Sequence, residues 1–156
     1  METTAFILAY TSMAIMLTLT CIGSAIGVTI GGNTTVAGLK KNPEMFGKSM
    51  LLCVLPSTQG LYGFAAFFLM LNKLKVMETL SINAALAICA AGIALGIVGF
   101  FSAVKQASLV ANGVNEMANG NDVFGKTLIL GVFPELYAIL TVAATFLIAS
   151  VATTWA

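Results

Sequence analysis

Four long apolar stretches constrain this chain more than any other feature. They cover residues 5 to about 30, 50–71, 82 to about 104, and 127 to about 153. Each reaches the ~20 residues that a helix needs to cross a bilayer. In lipid the backbone must satisfy its own hydrogen bonds, so stretches of this length become helices. The expected fold is therefore an all-α membrane protein with four transmembrane helices. Composition agrees: 59% of the residues are apolar and 8% are charged, outside the range of an ordinary soluble domain.

The linkers collect nearly all the charge. Lys40, Lys41, Glu44 and Lys48 fall in the first, Lys73, Lys75 and Glu78 in the second, and Glu116, Asp122 and Lys126 in the third. The first and third linkers together hold more lysines than the second. The positive-inside rule then puts them in the cytoplasm and both termini outside, in a multi-pass protein of the cell membrane. The first stretch does not read as a signal peptide, because it is too long and Glu2 stands where a basic region would be. Net charge is +1, with no basic cluster for nucleic acid. Cys21, Cys53 and Cys89 lie inside apolar stretches without metal-ligand spacing and read as packing residues. The chain has no histidine, which removes the commonest metal ligand and proton shuttle.

The sequence repeats at an offset of 78 residues, half its length of 156. Phe46-Gly47-Lys48-Ser49-Met50-Leu51-Leu52 aligns with Phe124-Gly125-Lys126-Thr127-Leu128-Ile129-Leu130, Pro56 with Pro134, and Ser24-Ala25-Ile26 with Ser102-Ala103-Val104. Such self-similarity marks repeated supersecondary units. The division expected is a first helical hairpin over 1–78 and a second over 79–156, the second carrying the acid discussed below. Each hairpin crosses twice, so the repeats are parallel rather than inverted. Gly23, Gly27 and Gly31 recur on one face of the first stretch, and Gly92, Gly96, Gly99 and Ala103 in the third. Small-residue stripes let helix backbones approach closely in lipid. They serve packing within the chain or a crowded inner layer of a ring.

Glu135 interrupts the fourth stretch about halfway across. An acid at that depth costs a few kcal/mol, so it reads as a functional site; the cost falls if it binds a cation or a proton. In the second stretch, Leu55, Thr58, Gln59 and Tyr62 share a helix face by their i, i+3, i+4, i+7 spacing. A polar stripe facing lipid is unfavourable, so this face should meet something polar. Glu135 lies nine residues past Lys126 and Gln59 eleven past Lys48, which places both roughly 14–16 Å below one membrane face. Gln106 approaches the same depth from the third stretch. A hard cation prefers oxygen ligands. A carboxylate, the Thr58 hydroxyl and the amide oxygens of Gln59 and Gln106 supply them, and Tyr62 can hold the carboxylate. Pro56 cannot donate to the carbonyl four residues back, so it should distort the helix near Leu55 and free carbonyl oxygens. This set is richer than a proton needs, which favours Na+ over H+. Taken singly, Thr58 could instead bond to its own helix, the glutamines could bond between helices, and Tyr62 or Tyr137 could be core aromatics.

Leu55-Pro56-Ser57-Thr58-Gln59-Gly60-Leu61-Tyr62-Gly63-Phe64, together with Glu135-Leu136-Tyr137-Ala138-Ile139-Leu140, resembles the rotor-ring proteolipid of V-type ATPases, in its bacterial sodium-pumping subtype. The resemblance covers the whole chain. It implies a ring of identical subunits, turned through a central-stalk subunit by ATP hydrolysis elsewhere, and running past a membrane stator subunit with an essential arginine. It implies a non-catalytic, ion-carrying role in a pump. It also implies a Na+ site made of Glu135, the Gln59 and Gln106 side chains, the Thr58 hydroxyl and the Leu55 carbonyl, with Tyr62 locking the occupied site.

The chain departs from that pattern at several positions. Leu136 stands where sodium-type relatives often have threonine, Pro134 precedes the acid and is expected to bend the fourth helix, and Lys105 precedes Gln106. Lys105 can snorkel to a lipid headgroup; paired with Glu135 it would compete with the cation. Ser57 stands at the repeat equivalent of Glu135, so two hairpins share one acid. The rival readings are the same rotor coupled to H+, a stand-alone channel or carrier, and a purely structural tetraspan.

Overall fold

The computed structural model describes residues 2–152 and Thr154. Helix α1 spans Glu2–Leu39, α2 Phe46–Val54, α3 Thr58–Lys75, α4 Ile82–Ala118 and α5 Phe124–Ala152. Short 3-10 turns at Pro43–Met45 and Leu55–Ser57 precede α2 and join it to α3, so that Pro43–Lys75 forms one membrane span. Among the described residues there are four spans and no strand, as the apolar stretches require. The expected end of the fourth stretch at residue 153 lies outside the described residues.

The helices outrun the apolar stretches. Helix α1 ends at Leu39 rather than near residue 30, and α4 continues to Ala118 rather than ending near 104. The 38 residues of α1 make a rod of about 57 Å, against a hydrocarbon core of ~30 Å. Packing, not hydropathy, sustains the extra turns: Gly38 lies against Met45 and Ala118. Lys48, Lys73, Lys75, Glu116 and Lys126 consequently sit in helical turns rather than in linkers.

The ends of α4 follow ordinary capping rules. Ser81 has extended backbone angles and its hydroxyl accepts the Ala84 amide at 3.2 Å, satisfying one of the unpaired donors of the first turn. At the other end Gly120 takes φ +91°, which a side chain would resist, and its amide reaches Met117 O at 3.0 Å. The first and third linkers meet there. Asn42 Nδ2 donates to Met117 O at 3.0 Å, Lys41 Nζ to Asn119 Oδ1 at 3.2 Å, and Lys48 pairs with Asp122 at 3.4 Å.

Helices α1 and α4 form the closest pair in the bundle, with α3 flanking α1 and α5 flanking α4. Apart from Gly32, the glycines of α1 and α4 are consumed within the chain. A Cβ on Gly23 would stand 2.6 Å from Phe100 Cα, and one on Gly96 3.2 Å from Met16 Cα. Close backbone approach of this kind holds helices together in lipid, where burial of apolar surface drives nothing. Two apolar clusters result. One gathers Met13, Met16, Ala66, Met70, Ile88 and Leu95; the other gathers Met45, Leu52, Val110, Val114 and Met117 near the linker end. A polar layer lies between them.

Candidate functional site

The polar layer is built where α3, α4 and α5 meet, and Pro56 is where its geometry begins. Without an amide hydrogen, Pro56 leaves Leu52 O without its usual partner. Leu55 N takes that carbonyl instead, ending α2, and the tighter 3-10 turn Leu55–Ser57 follows. Leu55 O then accepts from both the Thr58 amide and the Thr58 hydroxyl, the latter at 3.0 Å. The expected distortion near Leu55 is present, but its carbonyl is engaged rather than bare.

Glu135 is buried at 8% exposure and both of its oxygens are held. Tyr62 Oη donates to Oε1 at 2.5 Å, and Gln106 Nε2 donates to Oε2 at 3.1 Å. Gln106 Nε2 also donates to Gly131 O at 2.9 Å. A carbonyl can only accept, so this contact sets the orientation of the Gln106 amide and turns its oxygen toward α3. There Gln59 Nε2 donates to Gln106 Oε1 at 3.0 Å and to Ser102 Oγ at 3.0 Å. Ser102 passes its own proton to Pro134 O at 2.8 Å. The donors therefore run one way, from Gln59 to Gln106 to Glu135. That direction suits an ionised carboxylate, which accepts only and forms its strongest bonds with such donors.

The residues read from the sequence are thus brought together, in two shells. Tyr62 and Gln106 touch Glu135, while Gln59 reaches it through Gln106. Thr58 bonds its own helix at Leu55 O and approaches Gln59 Oε1 at 3.4 Å. Helix α5 runs unbroken through Pro134. Lys105 is exposed and lines the outer groove between α4 and α5 with Phe101 and Tyr137. Among the described residues the ion pair is Lys48–Asp122, not Lys105–Glu135. Tyr137 is 64% exposed and stands outside the site. Ser57 bonds back to Val54 O at 2.6 Å.

Two participants escaped the sequence reading. Ser102 links Gln59 to α5, and Ser24 Oγ accepts the Gly60 amide at 2.8 Å, tying α1 to the start of α3. Ser102 lies one helical turn before Gln106, and Ser24 is its equivalent in the repeat. Their shared face and shared register are the signal that could have found them.

The sequence matches the family of the ATP synthase C subunit twice, over residues 11–70 and 89–148. It is 33% identical to the V-type sodium ATPase subunit K of Enterococcus hirae over 142 residues, 91% of this chain and 90% of that protein. It is also 36% identical to the A-type ATP synthase subunit K of Methanocaldococcus jannaschii over 118 residues, which is 76% of this chain but only half of that longer protein.

Proposed function

Because this chain belongs to the family of the ATP synthase C subunit and is a membrane rotor-ring protein, we propose that each copy carries one Na+ on Glu135. Glu135, Gln59, Gln106, Thr58 and the Leu55 carbonyl are the proposed ligands, and Tyr62 is the proposed latch. The observation that carries the reading is the buried carboxylate gripped by Tyr62 and Gln106, with further oxygens of Thr58, Gln59 and Leu55 one layer away. Each carboxylate oxygen has a second lone pair free for a cation. The sodium ATPase protein among its relatives supports the same ion.

Charge compensation supplies the mechanism. A bare carboxylate facing lipid would stall rotation, so Glu135 crosses the lipid arc neutralised. Opposite a stator arginine the guanidinium takes over the pairing and the ion leaves. ATP hydrolysis belongs to other subunits in this reading, torque arrives through a central stalk, and the chain itself is not catalytic. The two hairpins, 1–78 and 79–156, are read as a duplication that kept one acid; the doubled family match, shifted by 78 residues at both ends, supports it. The linker end that joins α1 to α2 and α4 to α5 is assigned to the cytoplasm, and both termini to the outside.

The test is labelling by a hydrophobic carbodiimide, which attacks protonated carboxyls in the membrane. Sodium should slow labelling at Glu135, and less sodium should suffice as pH rises, because fewer protons compete for the same carboxylate. Labelling that ignores sodium and falls only with rising pH would assign the site to H+. Sodium flux through the isolated protein in liposomes would instead indicate a channel or carrier.

A further inference from the structure

A groove of about 790 Å³ opens between α3 and α5 at the end of the bundle that carries the second linker. Leu69, Ala143 and Phe146 line its deeper part, and Asn72, Lys73 and Ser150 the part nearer the helix ends. Lys73 lies 25 residues past Lys48, and Ser150 lies 24 past Lys126. The polar end of the groove therefore stands roughly 36–38 Å along the helices from the lysines at the other end. A bilayer's hydrocarbon core is about 30 Å thick, and about 40–45 Å with its headgroup layers. With Lys48 and Lys126 in one headgroup layer, Lys73 falls in the other. Ala143 is eight residues past Glu135, which keeps the groove about 12 Å from the acid's layer.

The groove has the polarity of a lipid: apolar side chains toward the bilayer centre, a lysine and an amide at headgroup depth. Nothing in the protein answers the lysine's charge. Among the described residues the ion pair is Lys48–Asp122, and no acid lines the groove. Glu78, the nearest acid along the chain, is exposed in the second linker. Part of the Lys73 side chain lines a small gap beside Met70, Ile88 and Ala149, while the residue as a whole stays exposed. An apolar stem laid on the protein with the charge at the interface is how a lysine meets headgroups. A cation at that depth attracts a lipid phosphate, and the Asn72 amide can donate to the same group. A zwitterionic headgroup would bring its own cation against Lys73; an anionic one would not.

We propose that this groove seats one anionic phospholipid per copy of the chain. Its phosphate lies on Lys73 and Asn72, and an acyl chain runs along Leu69, Ala143 and Phe146. The repeat supports a single site. Seventy-eight residues past Asn72 and Lys73 stand Ser150 and Val151, so only the first hairpin carries the basic charge at this level. The seat stands on the membrane fold and is independent of which ion Glu135 carries.

Spin-labelled lipids test the seat. The assembled protein is placed in phosphatidylcholine vesicles with a trace of spin-labelled phosphatidylglycerol or phosphatidylcholine, and electron paramagnetic resonance separates immobilised from bulk lipid. Phosphatidylglycerol should be held about fivefold more strongly, the factor expected of one lysine at headgroup depth. Lys73→Gln should abolish that preference. Lys75→Gln, a change at the same level outside the groove lining, should keep it. Ala143→Phe fills the groove without altering charge and should lower the immobilised phosphatidylglycerol. A parent that holds both lipids alike would overturn the seat, and so would equal losses in the two lysine variants, which would reduce the preference to diffuse attraction. Ala143→Phe that dissociates the oligomer by native mass, with the lipid preference intact, would give the groove to a neighbouring copy and overturn the seat as well. A second measurement needs no variant: phosphatidylglycerol with a photoreactive acyl chain should attach within residues 69–76 or 143–150. Attachment confined to other parts of the chain would overturn the proposal. Sodium-insensitive labelling of Glu135 alongside the expected lipid preference would remove only the sodium assignment and leave the lipid seat standing.

Discussion

Gln106 donates through one amide nitrogen to Gly131 O and to Glu135 Oε2, at 2.9 and 3.1 Å. A single side chain on α4 therefore ties the backbone of α5 to the ionisable group on the same helix. The orientation of the carboxylate is set from outside its own helix.

Gln106→Leu keeps a similar volume but leaves Glu135 Oε2 without a donor in a buried layer. Leaving a buried charged acceptor unsatisfied costs about 1–3 kcal/mol or more. Thermal stability in detergent should fall, and sodium protection of Glu135 against carbodiimide should be lost. Protection at the parental sodium concentration would show that Gln106 plays no part in ion binding.

Tyr62→Phe removes only the phenol that donates to Glu135 Oε1. A hydrogen bond to a charged group contributes about 1.5–3 kcal/mol, so the sodium concentration giving half protection should rise by roughly ten- to a hundredfold. Assembly should be unaffected, because the ring of Tyr62 is retained. Equal half-protection in Tyr62→Phe and parent would remove the latch role.

Ser102→Ala breaks the link between Gln59 and Pro134 O at once. Sodium protection should weaken several-fold, in line with a net value near 1 kcal/mol for a neutral hydrogen bond. A titration matching the parent would reduce Ser102 to a packing residue.

Lys105→Ala should leave the sodium titration of Glu135 unchanged, since Lys105 lines the outer groove and forms no ion pair with the acid. A marked gain in sodium affinity would mean that the lysine competes for the carboxylate in the assembled ring.

Gly23→Val would drive side-chain atoms into the backbone of Phe100, where even a Cβ would stand 2.6 Å from Cα. Overpacking of this kind costs about 1–3 kcal/mol or more, and backbone atoms cannot rotate away. Folded yield and thermal stability should both drop; Gly47→Ala, with nothing within 4 Å of its Cβ, serves as the control.

The sequence by itself determined four spans, because bilayer thickness and the need to satisfy the backbone in lipid leave little choice for stretches of that length. It also singled out Glu135 as the candidate site, because an acid at that depth is costly to bury without a function. Spacing on one helix face was enough to collect Leu55, Thr58, Gln59 and Tyr62, and depth below one face was enough to add Gln106. Only the tertiary structure decided which of them touch. Direction and distance across helices depend on how closely α1 and α4 approach, and that follows from glycine contacts such as Gly23 on Phe100 that hydropathy does not register. The same packing carried α1 and α4 well beyond their apolar stretches, turned Lys105 away from the acid, and brought in Ser102 and Ser24. Small hydroxyls of this kind carry no signal until another helix supplies their partner.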